Sequence, residues 1–330
     1  MLYPCPAHWL LNYEGKDTKE YYKLSIGDKV FISQKYPPNS SDIGSFSTLD
    51  LRHWEEVSSK PSIKYMAFEP PYSVPPRVAL GLSWLDCDHS TDISVSAQAE
   101  NIYADNFTVS IAPGPDSRLY AASCSWLEMS ANEDDVHVGE FDLASAWASG
   151  GSGGSGRPQL QTTATIEFPE RMSASDAPVV VCWFSALNLG KDAAWRVKTC
   201  ATDASPFRFR LHVGSSADTD LRGARVTWVA FPRGKEGIVG GTFNTDDIPG
   251  LQNSGTLAFP EDCGFEAPPQ LMMAVSGLDF ECGHNLRLRV SNSEVTSAGL
   301  TWHLDSWLDS SLNTATGAYV AICAPKVEDF

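Results

Sequence analysis

The sequence predicts an all-β protein in which three β-sandwich units, each of six short antiparallel strands, follow one another. Two observations carry this prediction: strand-like runs dominate the chain, and one long pattern occurs three times. The run VVVCWFSAL is continuously apolar, as in a strand buried on both faces, whereas FRFRLHV, LRLRV and DISVSAQA alternate, as in strands with one solvated face. The 25 Gly and 21 Pro residues between such runs favour turns.

The repeated pattern is the most informative feature of the chain. Its copies read AFEPPYSVPPRVALGLSWLD from Ala67, EFPERMSASDAPVVVCWFSALN from Glu167 and AFPEDCGFEAPPQLMMAVSGLD from Ala258. In each copy a Leu follows a Pro by 9 residues, and a large apolar residue follows that Leu by 22: Pro76, Leu85 and Phe107; Pro178, Leu187 and Phe209; Pro269, Leu278 and Leu300. Equal spacings in three copies indicate one small domain in triplicate.

The repeat divides the chain into three units after an N-terminal extension. Each unit opens with Gly-x-Phe and closes with an apolar strand. The predicted bounds are 1–43 for the extension, 44–129 for unit 1, 139–232 for unit 2 and 241–325 for unit 3. A period of about 100 residues suits a small sandwich and exceeds a solenoid repeat.

Two segments fall outside this repeated pattern. The stretch GGSGGSG at 150–156 has the composition of a flexible linker and predicts an exposed loop in unit 2. The extension is rich in aromatic residues, so we expect it to pack on a unit, with a hairpin around LSIGDKVFIS.

Charge and hydropathy exclude several partners. The chain has 24 Lys+Arg against 41 Asp+Glu, a formal charge of −17, so nucleic acid and anionic membrane surfaces are poor partners. The longest apolar runs are too short to span a bilayer. The amino terminus lacks the basic and apolar regions of a signal peptide, so we expect a cytoplasmic protein, or one secreted without a classical leader, with reduced thiols.

The sequence gives little support for catalysis or for a cofactor. The eight Cys form no CxxC pair, which leaves a zinc site without support. No nucleophile elbow is present, and the acidic run at 133–135 lacks the alternating carboxylates of a calcium loop. We therefore expect a protein that is not an enzyme and needs no cofactor.

The pattern of aromatic-Pro, Pro before an apolar strand, Leu-Asp and a closing apolar strand resembles the H-type lectin domain. The resemblance covers roughly 44–325 and is best in unit 3, where NLR at 285–287 and GLTW through Trp307 keep the family's spacing. It implies a six-stranded antiparallel sandwich that assembles as a trimer and binds galactose or N-acetylgalactosamine without catalysis. Three copies in one chain then imply a covalent pseudo-trimer, with further oligomerisation possible.

The resemblance also implies which residues bind the sugar. The family's sugar-contacting Arg, its stacking Trp and a loop Asp correspond in unit 3 to Arg287, Trp307 and either Asp246 or Asp247. In unit 2 the same positions hold Arg196, Ser216 and, more loosely, Asp142, and in unit 1 the first two hold Ser94 and Gly114. We therefore expect ligand binding at Arg287, Trp307, Asp246, Asp247 and Arg196, with unit 3 as the best pocket.

These residue types suit a sugar for physical reasons. Arg donates and Asp accepts hydrogen bonds, so together they can bracket vicinal hydroxyls. An aromatic ring covers the C–H face of the sugar. A monosaccharide in a shallow site should bind weakly, because its hydroxyls give up equally good bonds to water.

Two other interpretations stay open. The missing aromatic residues in units 1 and 2 favour a structural or protein-interaction module whose pockets have decayed. A carbohydrate-active enzyme is the third interpretation, since two carboxylates distant in sequence can meet, although no pair is singled out. Arg287 also fits an ordinary solvated strand face, and Trp307 also fits packing against a neighbouring unit.

Overall fold

The computed structural model describes residues 41–143, 161–173, 176–246 and 250–323, together with the backbone of two strands in the N-terminal extension. The extension contains β1 (Tyr21–Ile26) and β2 (Lys29–Gln34). Unit 1 contains β3 (Asp42–Ser47), β4 (Ser62–Ala67), β5 (Arg77–Cys87), β6 (Ile93–Glu100), β7 (Asn106–Pro113) and β8 (Leu119–Met129). Unit 2 contains β9 (His137–Asp142), β10 (Gln161–Glu167), β11 (Val179–Leu189), β12 (Trp195–Ser205), β13 (Arg208–Ser215) and β14 (Leu221–Phe231). Unit 3 contains β15 (Ile238–Asn244), β16 (Gln252–Ala258), β17 (Gln270–Phe280), β18 (Leu286–Thr296), β19 (Gly299–Asp305) and β20 (Leu312–Ile322).

These elements confirm the predicted all-β class and the three sets of six antiparallel strands. In the extension, β1 and β2 pair antiparallel in the hairpin expected around LSIGDKVFIS. The predicted packing of the extension on a unit and the Gly/Ser stretch at 150–156 lie outside the described residues. Across the described ranges, no helix is long and apolar enough to cross a membrane.

The strands of each unit are divided between two sheets. The three six-stranded sheets have the orders β4-β7-β6-β11-β14-β9, β10-β13-β12-β17-β20-β15 and β16-β19-β18-β5-β8-β3. Each sheet therefore takes three strands from one unit and three from another. Every unit shares one sheet with each of the other two, so the three sheets link the units in a closed ring.

Three short antiparallel ladders join the units, and we call them seams. Seam 1/2 pairs β6 with β11 over 93–96 and 186–189, seam 2/3 pairs β12 with β17 over 195–198 and 277–280, and seam 3/1 pairs β18 with β5 over 286–289 and 84–87. One face of each sheet lies on the sandwich cores, and we call the opposite face its seam face. Strand alternation fits this division, since Leu286, Leu288 and Val290 of β18 are buried in the core.

A second apolar cluster lies where the central strands β5, β11 and β17 meet. Gly81, Trp183 and Ala274 stand at equivalent positions of the repeat, four residues before the repeated Leu. The Trp183 Nε1 donates a hydrogen bond of 3.0 Å to the Leu80 carbonyl. A Cβ atom on Gly81 would lie 2.2 Å from the Trp183 ring and 2.6 Å from the Ala274 Cβ. One indole therefore fills the centre, which requires that the two equivalent residues be small.

The repeated Gly-x-Phe has a similar steric explanation. Gly44 is the register partner of Trp126, and a Cβ on Gly44 would lie 2.2 Å from the indole. Units 2 and 3 repeat this pairing of the first and last strands, with Gly139 opposite Trp228 and Gly241 opposite Tyr319. The glycine lets a large aromatic side chain of the closing strand lie flat against the opening strand.

Unit 1 adds a half-buried carboxyl group, that of Glu128, to this arrangement. The Trp126 Nε1 donates to Glu128 Oε1 at 2.9 Å, and the Tyr72 hydroxyl donates to Glu128 Oε2 at 3.2 Å. Burial raises the pKa of Glu128 to about 7, against the opposing effect of these hydrogen bonds. The carboxyl group therefore exchanges its proton near neutral pH.

We expect Trp183→Ala to lower the free energy of unfolding by about 3–5 kcal/mol, because the substitution empties the centre of the ring. Chemical denaturation monitored by circular dichroism measures the change. Trp54→Ala is the matched control, since Trp54 is 49% exposed and should cost little. Equal losses in the two variants would contradict the proposed packing role.

Glu128→Gln should change how stability depends on pH. The pKa of Glu128 is higher in the folded state than in the unfolded chain, so protonation of Glu128 stabilises the folded state. This contribution to stability is complete below about pH 4.3, the pKa of an unfolded Glu. This contribution is lost as pH rises through about 7. The stability of the variant relative to the parent should therefore increase from pH 5 to pH 8, by at most about 3 kcal/mol. A constant difference in unfolding free energy across this range would refute the assignment.

Candidate functional site

The seams bring together the positions that the repeat aligns. Direct register partners on the three seams are Arg287 with Asp86, Arg196 with Asp279, and Ser94 with Asn188. The Asp or Asn partner is the residue that follows the repeated Leu in each copy. Sequence reasoning noted this Leu-Asp pair without giving it a role. Each expected sugar-contacting position therefore lies opposite a polar residue of another unit.

A β-bulge in the central strand decides which side chains reach the seam face. In β5, Leu82 and Leu85 both point into the core, and the register shift falls between Leu82 and Trp84. An extra residue in a strand reverses the alternation beyond it. Trp84 and Asp86 therefore stand on the seam face, where simple alternation from Gly81 would have placed Leu85.

At seam 3/1 the Arg287 guanidinium is nearly buried, with 8% of the residue exposed. Its Nε lies 3.3 Å from Asp86 Oδ1 of unit 1, an ion contact across the seam. Its Nη1 contacts the Asp309 carboxylate and donates a hydrogen bond of 3.5 Å to the Ser310 Oγ. Within the described residues Nη2 makes no hydrogen bond, so two donors of Arg287 are available to a ligand.

The turn after β19 is fixed to β18 beside this guanidinium. The Ser306 hydroxyl donates to the Arg287 carbonyl and the Ser310 hydroxyl donates to the Asn285 carbonyl, both at 2.6 Å. The N–H of Ser310 also donates to the Trp307 carbonyl at 3.4 Å. Trp307 is therefore carried on a turn whose two sides are tied to the strand that bears Arg287.

The two carboxylates around Arg287 have different electrostatic settings. A hydrogen bond from Arg287 holds the pKa of Asp309 below its usual value. Burial raises the pKa of Asp86, with Arg287 opposing that rise. Asp309 thus remains charged as pH falls, whereas Asp86 is the more readily protonated of the two.

Two tryptophans from different units meet on this seam face. The ring centroids of Trp307 and Trp84 lie 6.0 Å apart with an interplanar angle of 71°. The Arg289 guanidinium lies 5.5 Å from the centroid of the Trp84 ring. Since β18 separates β19 from β5, this contact places the Trp307 ring across the seam face of β18. Both tryptophans are half-buried.

Sequence reasoning paired Arg287 with Trp307 but missed Trp84. The only sequence signal for Trp84 was its position next to the repeated Leu85. Its orientation depends on the bulge, which strand periodicity does not reveal.

At seam 2/3 the Arg196 guanidinium is surrounded by acceptors. Its Nε donates to Asp279 Oδ1 at 2.9 Å, while Nη1 and Nη2 bond the carboxylates of Asp218 and Glu281. The Asn313 amide also donates to Asp279 and Glu281, at 2.9 and 3.1 Å. Each of the three guanidinium nitrogens of Arg196 therefore already donates a hydrogen bond to a carboxylate of the protein.

The strand before Asp246 belongs to the sheet of Arg196 and not to the sheet of Arg287. Asp246 follows β15, whose sheet contains seam 2/3, and its N–H donates to Asn244 Oδ1 at 3.2 Å. Arg287 lies in the sheet that ends with β3, so the corresponding loop at seam 3/1 belongs to unit 1. That Asp246 binds the ligand stays a prediction, and Asp247 lies outside the described residues.

Seam 1/2 carries neither an arginine nor an aromatic ring at the aligned positions. The Ser94 N–H bonds the Ser117 hydroxyl at 2.9 Å, and Gly114 stands where unit 3 has Trp307. Asp142, the looser candidate of unit 2, makes an ion contact of 3.6 Å with Arg225 in the same sheet. Among the described residues of all three seams, no group of three His, Cys, Asp or Glu side chains could hold a metal ion.

Comparisons with known proteins match this repeated architecture. A family model described as the H-type lectin domain matches three segments, 63–127, 163–231 and 259–322, which together cover more than half of the chain. The protein "ATP synthase subunits region ORF 7" of Fuscovulum blasticum is 31% identical over 70 residues, which is 21% of this chain and 61% of that protein. The chain thus spans about three fifths of the curated relative that it matches.

We expect Arg196→Ala to destabilise the protein at neutral pH, by about 1–3 kcal/mol, because three carboxylates lose their shared cation. The loss should shrink at pH 4, where unpaired carboxylates take up protons. Denaturant unfolding at pH 7 and pH 4 measures both effects. Arg208→Ala, an exposed arginine of the same unit, provides the control. The structural role fails if the two variants behave alike at both pH values.

Proposed function

The chain belongs to the H-type lectin domain family, which is a family of carbohydrate-binding domains, and on that premise we propose a galactose- or N-acetylgalactosamine-binding lectin without catalytic activity. Its binding site is seam 3/1, between units 1 and 3. The units act as a covalent pseudo-trimer, since each seam is the contact between two copies of the domain. Because the three units are covalently linked in one chain, the trimer does not depend on the association of three separate subunits.

The observation that carries this proposal is the pairing of Arg287 with Asp86 beside Trp307. Arg287 has donors at Nη2, and Asp86 supplies acceptor oxygens, so the pair can bracket vicinal hydroxyls of a sugar. Trp307 supplies a ring for the C–H face. Burial of Arg287 strengthens its hydrogen bonds with a ligand by lowering the local dielectric.

The other two seams serve as scaffold in this proposal. Each nitrogen of the Arg196 guanidinium already bonds a carboxylate, and Ser94 and Gly114 offer neither a cation nor a ring. These observations favour the structural function for those two seams. A chain with one competent site gains avidity for a clustered glycan only if chains associate further.

Arg287→Lys and Trp307→Ala should each weaken binding of N-acetylgalactosamine by roughly tenfold or more. Lysine keeps the charge but loses the planar fork of donors, and alanine removes the stacking ring. Glycan-array binding followed by calorimetry measures the change, with thermal unfolding as the check on folding. Phe207→Ala, an exposed aromatic residue of unit 2, is the control.

The site assignment fails if both variants bind as well as the parent, and the lectin function fails if the parent binds no glycan. Mass measurement of an oligosaccharide after incubation with the parent tests the absence of catalysis, since a shortened product would indicate an enzyme.

A further inference from the structure

Unit 1 carries a long loop beside seam 3/1. Residues 48–61 connect β3 to β4, whereas the equivalent connection in unit 3, from β15 to β16, needs only 245–251. The additional length in unit 1 includes Trp54, which is 49% exposed. An exposed tryptophan on a loop next to a ligand site needs a structural or functional explanation.

The Arg52 guanidinium fixes this loop to β8. Its Nη1 donates to the carbonyls of Tyr120 at 2.9 Å and Glu56 at 3.0 Å, and its Nη2 donates to the Leu119 carbonyl at 3.0 Å. The pairing of β3 with β8 stops at Ser123, so these β8 carbonyls lie beyond the edge strand. The Arg52 guanidinium therefore bonds the β8 carbonyls that β3 does not reach. These bonds hold the loop that bears Trp54 in one position.

The Trp54 ring packs against the rings of Tyr120 and His53, which we call its aromatic support. Its ring lies 6.3 Å from that of Tyr120 at an interplanar angle of 65°, and 5.6 Å from that of His53. The Tyr120 hydroxyl donates to Asp88 Oδ2 at 2.7 Å, and the Arg118 guanidinium lies 5.4 Å from the Tyr120 centroid. These contacts fix Tyr120, which in turn supports the exposed indole.

This aromatic support is continuous with the Arg287 site. Tyr120 is the extra residue at a register shift of the β5–β8 ladder, after Leu119 of the core, and its hydroxyl bonds Asp88, two residues after Asp86. Its neighbour Ala121 is the register partner of Asp86. Burial raises the pKa of Tyr120, with smaller contributions from the Asp88 and Asp86 carboxylates. Asp86 therefore lies between Arg287 of β18 on one side and Ala121 of β8, the neighbour of Tyr120, on the other.

We propose that Trp54 and Tyr120 form an outer subsite for a second sugar residue, so that the ligand of seam 3/1 is an oligosaccharide. This inference rests on the proposed lectin function. The terminal sugar occupies the site of Arg287, Asp86 and Trp307. The next residue lies over Tyr120 and Trp54, where an exposed aromatic face meets its C–H groups. A preorganised loop makes the second contact at little entropic cost.

The test compares N-acetylgalactosamine with a trisaccharide that ends in N-acetylgalactosamine, by calorimetry, for the parent and Trp54→Ala. The parent should bind the trisaccharide about tenfold more tightly than the monosaccharide. Trp54→Ala should abolish that difference and leave the monosaccharide affinity unchanged. Tyr65→Ala, an exposed aromatic residue of β4 in the same unit, should keep the difference.

Two results would overturn the outer subsite: equal affinity of the parent for both sugars, or equal weakening of both sugars by Trp54→Ala with unchanged thermal unfolding. Failure of the lectin function gives a different result, because the parent then binds neither sugar. A protein partner instead of a glycan would leave Trp54→Ala without effect on the trisaccharide while weakening a protein complex, which also rejects the subsite.

Discussion

Backbone pairing across the seams is the constraint on which the rest of the structure depends. Each unit presents two three-stranded half-sheets, and the inner edge of a half-sheet has N–H and C=O groups that need partners. Ladders of four residue pairs with the neighbouring units satisfy those groups. No unit therefore completes its own sheets, and every seam side chain is positioned by two units at once.

The sequence predicted what depends on local pattern and on repetition. Alternation located strands such as β18, and the equal spacings around Leu85, Leu187 and Leu278 located the units. The sharing of sheets between units could not be predicted, because the periodicity of a strand is the same whether its neighbouring strand belongs to the same unit or to the next. The loop of Asp246 was likewise assigned to its own unit, although the strand before it lies in the sheet of seam 2/3. Trp84 escaped because a single extra residue reversed its orientation.

Arg287 and Arg196 occupy the same position, and their neighbours decide what each can do. Glu281, two residues after Asp279, binds Arg196. The equivalent residue at seam 3/1 is Asp88, which is held instead by Ser90 and Tyr120. Among the described residues, Arg287 therefore keeps one nitrogen, Nη2, without a hydrogen bond, whereas each of the three nitrogens of Arg196 bonds a carboxylate. The hydrogen bond that secures Tyr120 thus also removes a competing acceptor from Arg287.

The single indole at the centre of the ring has a consequence for the history of the three copies. Identical copies would place the same residue at 81, 183 and 274, and three indoles cannot share a space that Trp183 already fills. With Trp183 in place, the equivalent positions 81 and 274 have room only for small residues, and they hold Gly81 and Ala274. Three copies of unit 2 would therefore clash at the centre of the ring, whereas three copies of unit 1 or of unit 3 would leave it without the indole that fills it.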